Sequence, residues 1–254
     1  MEYNFKKFWI EMIELISLGA SVGLLSGLFG IGGGTILVPL LLMLGYETKI
    51  AIGISVVQMV FSSIYGSYLN NKKGTLDVVM VAIIGLGGFC GALLSGTITS
   101  SISDKTLEII FLAFATFALL RLFMKTHDYR VEKKVNKIVL FAIGSFIGAV
   151  SMSIGVGGSL ILVPILVGFL HIPLKKATSA GLFFVVFSSV SGLISHTLHG
   201  QVDYKSGIII GLASLAGVYA GIHLKHHKID VVLQRKLLIV LYSVIVVYLL
   251  YRIS

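Results

Sequence analysis

Eight apolar stretches divide the chain, at about 17–44, 51–70, 78–99, 107–124, 138–170, 178–196, 206–222 and 236–253. Six have the length of one membrane-crossing helix, roughly 17–25 residues. The first and fifth are longer, and each is interrupted near its middle by glycines. An unbroken helix of about 30 residues would measure about 45 Å, against a hydrocarbon core near 30 Å. Ahead of them, Phe5, Phe8, Trp9, Met12, Ile13 and Ile16 recur at helical spacing, with Lys6, Lys7, Glu11 and Glu14 opposite. That spacing predicts an interfacial amphipathic helix over 1–16.

The two long stretches resemble each other. GLLSGLFGIGGGTILVP (Gly23 to Pro39) and GAVSMSIGVGGSLILVP (Gly148 to Pro164) agree at nine of 17 positions, at an offset of 125. One inserted residue later the agreement continues at an offset of 126. Phe61, Ser62 and Ser63 then pair with Phe187, Ser188 and Ser189, Gly74 and Asp77 with Gly200 and Asp203, and Gly91 with Gly217. Chance alignment of apolar segments matches Leu and Ile freely, but seldom Gly, Pro, Ser and Asp in order. The chain therefore reads as an internal duplication: repeat 1 over 17–124, a polar linker KTHDYRVEKKVNK over 125–137, and repeat 2 over 138–254.

Composition fixes the solvent. The chain is 56% hydrophobic and 12% charged, half the charge a water-facing shell of this size ordinarily carries. The net charge of +9 has no basic stripe with interleaved aromatics, so nucleic acid is not expected as a partner. Lys and Arg collecting in cytoplasmic loops account for it better. If the glycine-broken segments cross the bilayer, 12 of the 20 Lys/Arg fall on the side of the linker; if they enter and leave by one face, 14 do. The second count inverts repeat 2 relative to repeat 1 and places both termini outside. The expected fold is thus an all-α polytopic membrane protein of two inverted repeats. Each has a glycine-broken first segment, re-entrant or discontinuous, followed by three transmembrane helices. The linker is cytoplasmic. The N-terminus has no small-residue cleavage site after its apolar run and is not expected to be a removed signal. A single cysteine, Cys90, rules out an intrachain disulfide and a thiolate zinc cluster; in GGFCGA it reads as a small packed side chain.

The candidate chemistry lies in the glycine runs. Gly30, Gly32, Gly33, Gly34 and Thr35, with Gly155, Gly157, Gly158 and Ser159, separate pairs of apolar half-helices. Irregular backbone at membrane depth persists only inside protein or along a wet cavity. The half-helices that follow would begin with unpaired N–H groups and a positive dipole end, a setting for an anion. Two such breaks at corresponding places point to a transporter's central site. Ser62, Ser63, Ser188 and Ser189 fall mid-helix, where a hydroxyl donates either to substrate or to the preceding turn. Gln58, whose counterpart is Phe184, is the only amide near mid-span and is expected to face the interior. Asp77 and Asp203 read as helix caps, with gating or proton uptake as the alternative. No charged residue stands clearly at mid-span. His196, His199, His223, His226 and His227 fall in expected loops without companion ligands, so neither a metal nor a cofactor is expected.

The duplicated pattern G-x-G-G-[GS]-x-I-L-V-P, with the paired Gly74/Asp77 and Gly200/Asp203, resembles the sulfite exporter TauE/SafE family over roughly 17–252. That resemblance implies a transporter of the cytoplasmic membrane, an exporter of a small sulfur-containing anion such as sulfite, thiosulfate or a sulfonate. A passive anion channel, an intramembrane enzyme and a membrane scaffold remain as alternatives. The missing mid-span ionisable residues disfavour the enzyme, and the duplicated breaks disfavour the scaffold. The sequence carries no signal of oligomeric state.

Overall fold

The computed structural model describes residues 2–29, 32–71, 78–123, 136–172, 174–227 and 231–253. All of its regular structure is helical: α1 Glu2–Phe29, α2 Gly34–Met43, α3 Thr48–Asn71, α4 Val78–Ala92, α5 Ser95–Ser101, α6 Asp104–Phe123, α7 Lys137–Ser153, α8 Ser159–Gly168, α9 Leu174–Leu198, α10 Tyr204–His227 and α11 Val231–Ile253. Among the described residues, seven helical spans are long and apolar enough to cross a membrane, α4 and α5 together making one of them; α2, α7 and α8 are shorter. The amphipathic stretch at the start and the part of the first apolar segment before its glycines share the unbroken helix α1, whose Trp9, Ile13 and Ile16 are exposed. Linker positions 125–135 lie outside the described residues; Asn136 and Lys137 do not. The Asn136 side chain accepts from the Ile138 N–H at 3.0 Å and caps α7.

The contacts between helices come in matched pairs. α1 packs on α10 as α7 packs on α4, α3 on α10 as α9 on α4, and α2 on α3 as α8 on α9; α3 also meets α9, and α6 meets α11. The match extends to single residues. A Cβ at Gly23 would lie 2.2 Å from the Ser214 carbonyl oxygen, and one at the equivalent Gly148 would lie 2.4 Å from the carbonyl of Gly88. Gly88 is the position equivalent to Ser214 at the offset of 126. Lipid supplies no hydrophobic drive between helices, so van der Waals contact has to hold them together, and small residues let the backbones approach.

The third span is interrupted at Leu93–Leu94, between α4 and α5. The cause lies in α9. The Ser195 hydroxyl donates to the Leu93 carbonyl at 2.6 Å and accepts from the Gly96 N–H at 2.9 Å, bridging the gap in the ladder. Ser191 likewise donates to the Phe89 carbonyl at 2.5 Å. A side chain inserted into the helical ladder is a recognised source of such breaks.

Three sequence expectations are corrected. Cys90 is exposed, not packed, because Gly87, Gly88 and Gly91 turn the other face of α4 against α7 and α9. His196 is not in a loop: it lies inside α9 and is fully buried. His223, His226 and His227 belong to α10 and not to a loop, and the His223 ring is stacked on Tyr219 at 6.0 Å. Near one end of the bundle Glu108, buried in α6, accepts from Thr48 Oγ1 (2.7 Å) and from Arg252 Nε (3.0 Å). Arg252 also donates to the Leu42 carbonyl at the end of α2. The Leu44–Tyr46 turn that follows α2 shares a cleft with Glu11 and Glu14, in the N-terminal half of α1.

Candidate functional site

Each glycine run divides two helices, α1 from α2 and α7 from α8. α7 closes with the Val156 N–H on the Ser151 carbonyl (2.8 Å) and the Gly155 N–H on that of Met152 (3.2 Å). Gly155 has φ +68°, the left-handed conformation this closing motif needs at its turn residue. Gly32, in the first break, has φ +75°; Gly30 lies outside the described residues. The helices that follow begin without help. Gly33 and Gly158 occupy the N-cap positions of α2 and α8, and neither helix has a side-chain cap. The Ile36 and Ile161 N–H groups turn back to the Gly33 and Gly158 carbonyls (3.1 and 3.2 Å), and the remaining first-turn N–H groups are left for another acceptor.

The two breaks meet. A Cβ at Gly32 would lie 3.7 Å from Gly157 Cα, and one at Gly34 would lie 2.3 Å from the Gly155 carbonyl oxygen and 2.8 Å from Ser55 Oγ. Ser55 donates to that carbonyl at 2.9 Å. Beyond the breaks the halves diverge chemically. Gly33 abuts the amide of Gln58, at 2.3 Å from a built Cβ to Oε1, while its equivalent Gly158 abuts the ring of Phe184 at 2.6 Å. Gln58 is fully buried, and neither its Nε2 nor its Oε1 has a hydrogen-bond partner. Ser151 and Ser159 are also buried with unpartnered hydroxyls, and Ser151 Oγ lies 2.8 Å from the place of a Gly158 Cβ. Buried polar groups are nearly always paired, so three orphans around one pair of breaks ask for an explanation.

The remaining sequence candidates are placed as follows. Thr35 Oγ1 makes a long contact to the Gly32 carbonyl, 3.4 Å. Ser62, Ser63, Ser188 and Ser189 are buried and direct their hydroxyls to carbonyls of their own helices, Ser188 at 2.8 Å to Phe184 and the others at 3.3–3.5 Å. Asp203 Oδ1 accepts from the N–H groups of Lys205 (3.0 Å) and Ser206 (3.3 Å), and Oδ2 accepts from the Ser206 hydroxyl (2.6 Å), so its carboxylate caps α10. Asp77 lies outside the described residues. Ser55 and Ser151 were not singled out from sequence. For Ser151 a signal existed, since Ser26 and Ser151 are one of the nine identical pairs.

The sequence pattern described as Sulfite exporter TauE/SafE matches residues 15–249, taking in both breaks and all the long helices. The chain belongs to this family. Among TauE/SafE relatives it is similar to the "Probable membrane transporter protein YunE" of Bacillus subtilis, 23% identical over 84% of this chain and 86% of that one. It is also similar to the "Probable membrane transporter protein MJ0441" of Methanocaldococcus jannaschii, 27% identical over 78% and 77%. A "Probable membrane transporter protein" of Haemophilus influenzae is 28% identical over 80% and 81%. No solved structure matches. Transport across a membrane is what the family description and the names of these relatives have in common.

Proposed function

We propose that this TauE/SafE protein exports a small sulfur-containing anion, such as sulfite, thiosulfate or a sulfonate, across the cytoplasmic membrane without catalysing a reaction. The anion binds where the two glycine breaks meet. The observation that carries the reading is the buried amide of Gln58, unpartnered and set against Gly33 at the uncapped start of α2. An oxyanion needs several donors, and the first-turn N–H groups of α2 and α8 other than those of Ile36 and Ile161 supply them, with the positive ends of two helix dipoles. The amide nitrogen of Gln58 adds two more. Gln58 in one repeat and Phe184 in the other give the site a polar and an apolar wall.

The repeats are inverted in this reading. Three features support it: the paired helix contacts, the turn after α2 returning to Glu11 and Glu14, and three further spans in each half. Each first segment is then re-entrant, and an odd number of crossings turns the second repeat over. Both termini lie outside and 125–137 lies in the cytoplasm, which also gathers Lys and Arg on the inner face.

Flux of sulfite, thiosulfate, sulfate and a short sulfonate from proteoliposomes of the purified protein tests the function. Movement of one or more of the sulfur anions above protein-free vesicles is expected; none above that background refutes it. A tag at the N-terminus labelled from outside intact cells, with the linker protected, tests the topology, and both on one side refutes inversion.

A further inference from the structure

We propose that His196 is a proton-binding site that links protonation to closure of the second glycine break. The proposal rests on the transport reading above, and its ligand is a proton from solution. His196 is fully buried near the end of α9. Its Nε2 faces the Met152 carbonyl at 3.0 Å, its Nδ1 faces Gln201 Oε1 at 2.5 Å, and Gln201 Nε2 donates to the Gly96 carbonyl at 3.1 Å. These three contacts form a chain with a carbonyl acceptor at each end. A neutral imidazole carries one N–H. With the proton on Nε2, the bare Nδ1 faces an amide oxygen; with it on Nδ1, the bare Nε2 faces a carbonyl oxygen. Turning the Gln201 amide over only moves the clash to Gly96. The imidazolium, which donates from both nitrogens, is the one form that makes all three hydrogen bonds.

Against the imidazolium stands the cost of burying a cation. No carboxylate is hydrogen-bonded to the ring among the described residues. The titratable groups that adjoining elements bring to this end of the bundle are engaged elsewhere. His199, on the same helix and in electrostatic contact with His196, bonds the Ser195 carbonyl and Thr97. Tyr204 bonds Thr197, Asp203 caps α10, and Lys49 of α3 donates to the Ser100 carbonyl. α5 contributes no titratable residue, and α7 has only Lys137, at its far end. The neutral ring leaves one contact broken and the charged ring is poorly solvated, so the two forms are set against each other. That is the condition for a side chain to change state under modest changes in pH.

The position gives the protonation a consequence. The Met152 carbonyl that Nε2 faces also accepts the Gly155 N–H, the bond that closes α7 at the break. The Gly155 carbonyl in turn takes the Ser55 hydroxyl and sits where a Gly34 Cβ would be. Proton uptake at His196 therefore makes the bond to the carbonyl that fixes the break charge-assisted, whichever nitrogen carried the proton of the neutral ring, and proton release weakens or removes it. Gln201 extends the link to α5 through Gly96, and its own carbonyl lies 1.9 Å from the place of a Gly53 Cβ on α3. The equivalent positions in repeat 1 are Asn70 and Thr75, so the device belongs to one repeat only.

The test uses the full chain in lipid nanodiscs with 15N-labelled histidine and no anion. The ring nitrogens of His196, assigned by their absence in His196→Gln, are expected to pass from the neutral to the imidazolium pattern between about pH 8 and about pH 5. A ring that stays neutral in one tautomer throughout overturns the proposal. If His196→Gln does not fold, Gln201→Leu removes the Nδ1 acceptor and is expected to make the ring titrate at lower pH; an unchanged titration overturns it. In proteoliposomes carrying sulfite, His196→Gln is expected to lose at least tenfold of the stimulation by a pH gradient while His199→Gln keeps it, and a gradient response like the parent's in His196→Gln overturns the proposal. Parent vesicles that move no sulfur anion refute the transport reading, while the ring titration still decides the proton site.

Discussion

Replacing Gln58 by Leu separates what this side chain does for the fold from what it does for the ligand. The amide is fully buried against Gly33 and makes no hydrogen bond through either polar atom. Leaving a buried polar group unpaired costs about 1–3 kcal/mol, and Leu fills nearly the same volume without a polar atom. Gln58→Leu is therefore expected to stabilise the anion-free protein by about 1–3 kcal/mol. The shift in Tm follows at about 2–4 °C per kcal/mol for a chain of this size, on the scale of soluble domains. The same change deletes a donor to the anion. A hydrogen bond to a charged group is worth about 1.5–3 kcal/mol, so affinity should fall roughly 10- to 150-fold. Thermal unfolding in detergent, with and without sulfite, reads both effects on one sample. A less stable Gln58→Leu protein would mean the amide already has a partner in the fold. An affinity like the parent's would remove Gln58 from the site.

Arg252→Met leaves the Glu108 carboxylate buried with Thr48 alone; a loss of about 2–4 kcal/mol in unfolding is expected, of which Glu108→Leu in the same chain recovers part, because the unpaired charge causes most of it. Asp203→Ala removes the cap of α10 at a cost of about 1 kcal/mol, and the pH profile of transport should not change; selective loss of pH-driven flux would give Asp203 a coupling role instead. Gly155→Ala and Gly45→Ala both place a side chain at positive φ, +68° and +87°. Gly45 has nothing within 4 Å of the new Cβ, whereas at Gly155 it would meet Val38 Cγ2 at 3.0 Å and Ile52 Cα at 3.1 Å. Gly45→Ala should cost about 1–2 kcal/mol and Gly155→Ala clearly more; equal shifts in Tm would show that the break is loosely packed.

The membrane-helical class and the family were legible in the sequence because both rest on local signals. Runs of apolar residues report a lipid solvent, and glycines and prolines in a fixed order report one particular turn. What escaped the sequence depends on residues far apart in the chain. The Leu93–Leu94 interruption is flanked by Gly91 and Gly96, but glycines are common throughout this chain; what marks the break is the Ser195 hydroxyl, about a hundred residues on, inserted between two turns. His196 read as a loop residue because it is polar and sits near the end of an apolar run. The chain continues as helix to Leu198 and turns at Gly200, and the buried ring lies between the Met152 carbonyl and the Gln201 amide. Glu108 and Arg252 are 144 residues apart and pair only because α6 and α11 pack together. At the breaks, sequence pointed to the glycines and to Gln58, but which of the neighbouring hydroxyls lack partners is a matter of packing. Ser62, Ser63, Ser188 and Ser189 bond within their own helices, while Ser151 and Ser159 do not.

Sulfite binding to purified Gly33→Val and Gly158→Val proteins, each first shown to unfold cooperatively, tests most directly whether the two breaks form one anion site. The added side chains would enter space now held by the Gln58 amide on one side and by the Phe184 ring and Ser151 hydroxyl on the other, blocking the uncapped starts of α2 and α8. The account predicts one site in the parent and its loss in either variant. Two folded variants that bind sulfite like the parent would make the glycine breaks packing devices and contradict it.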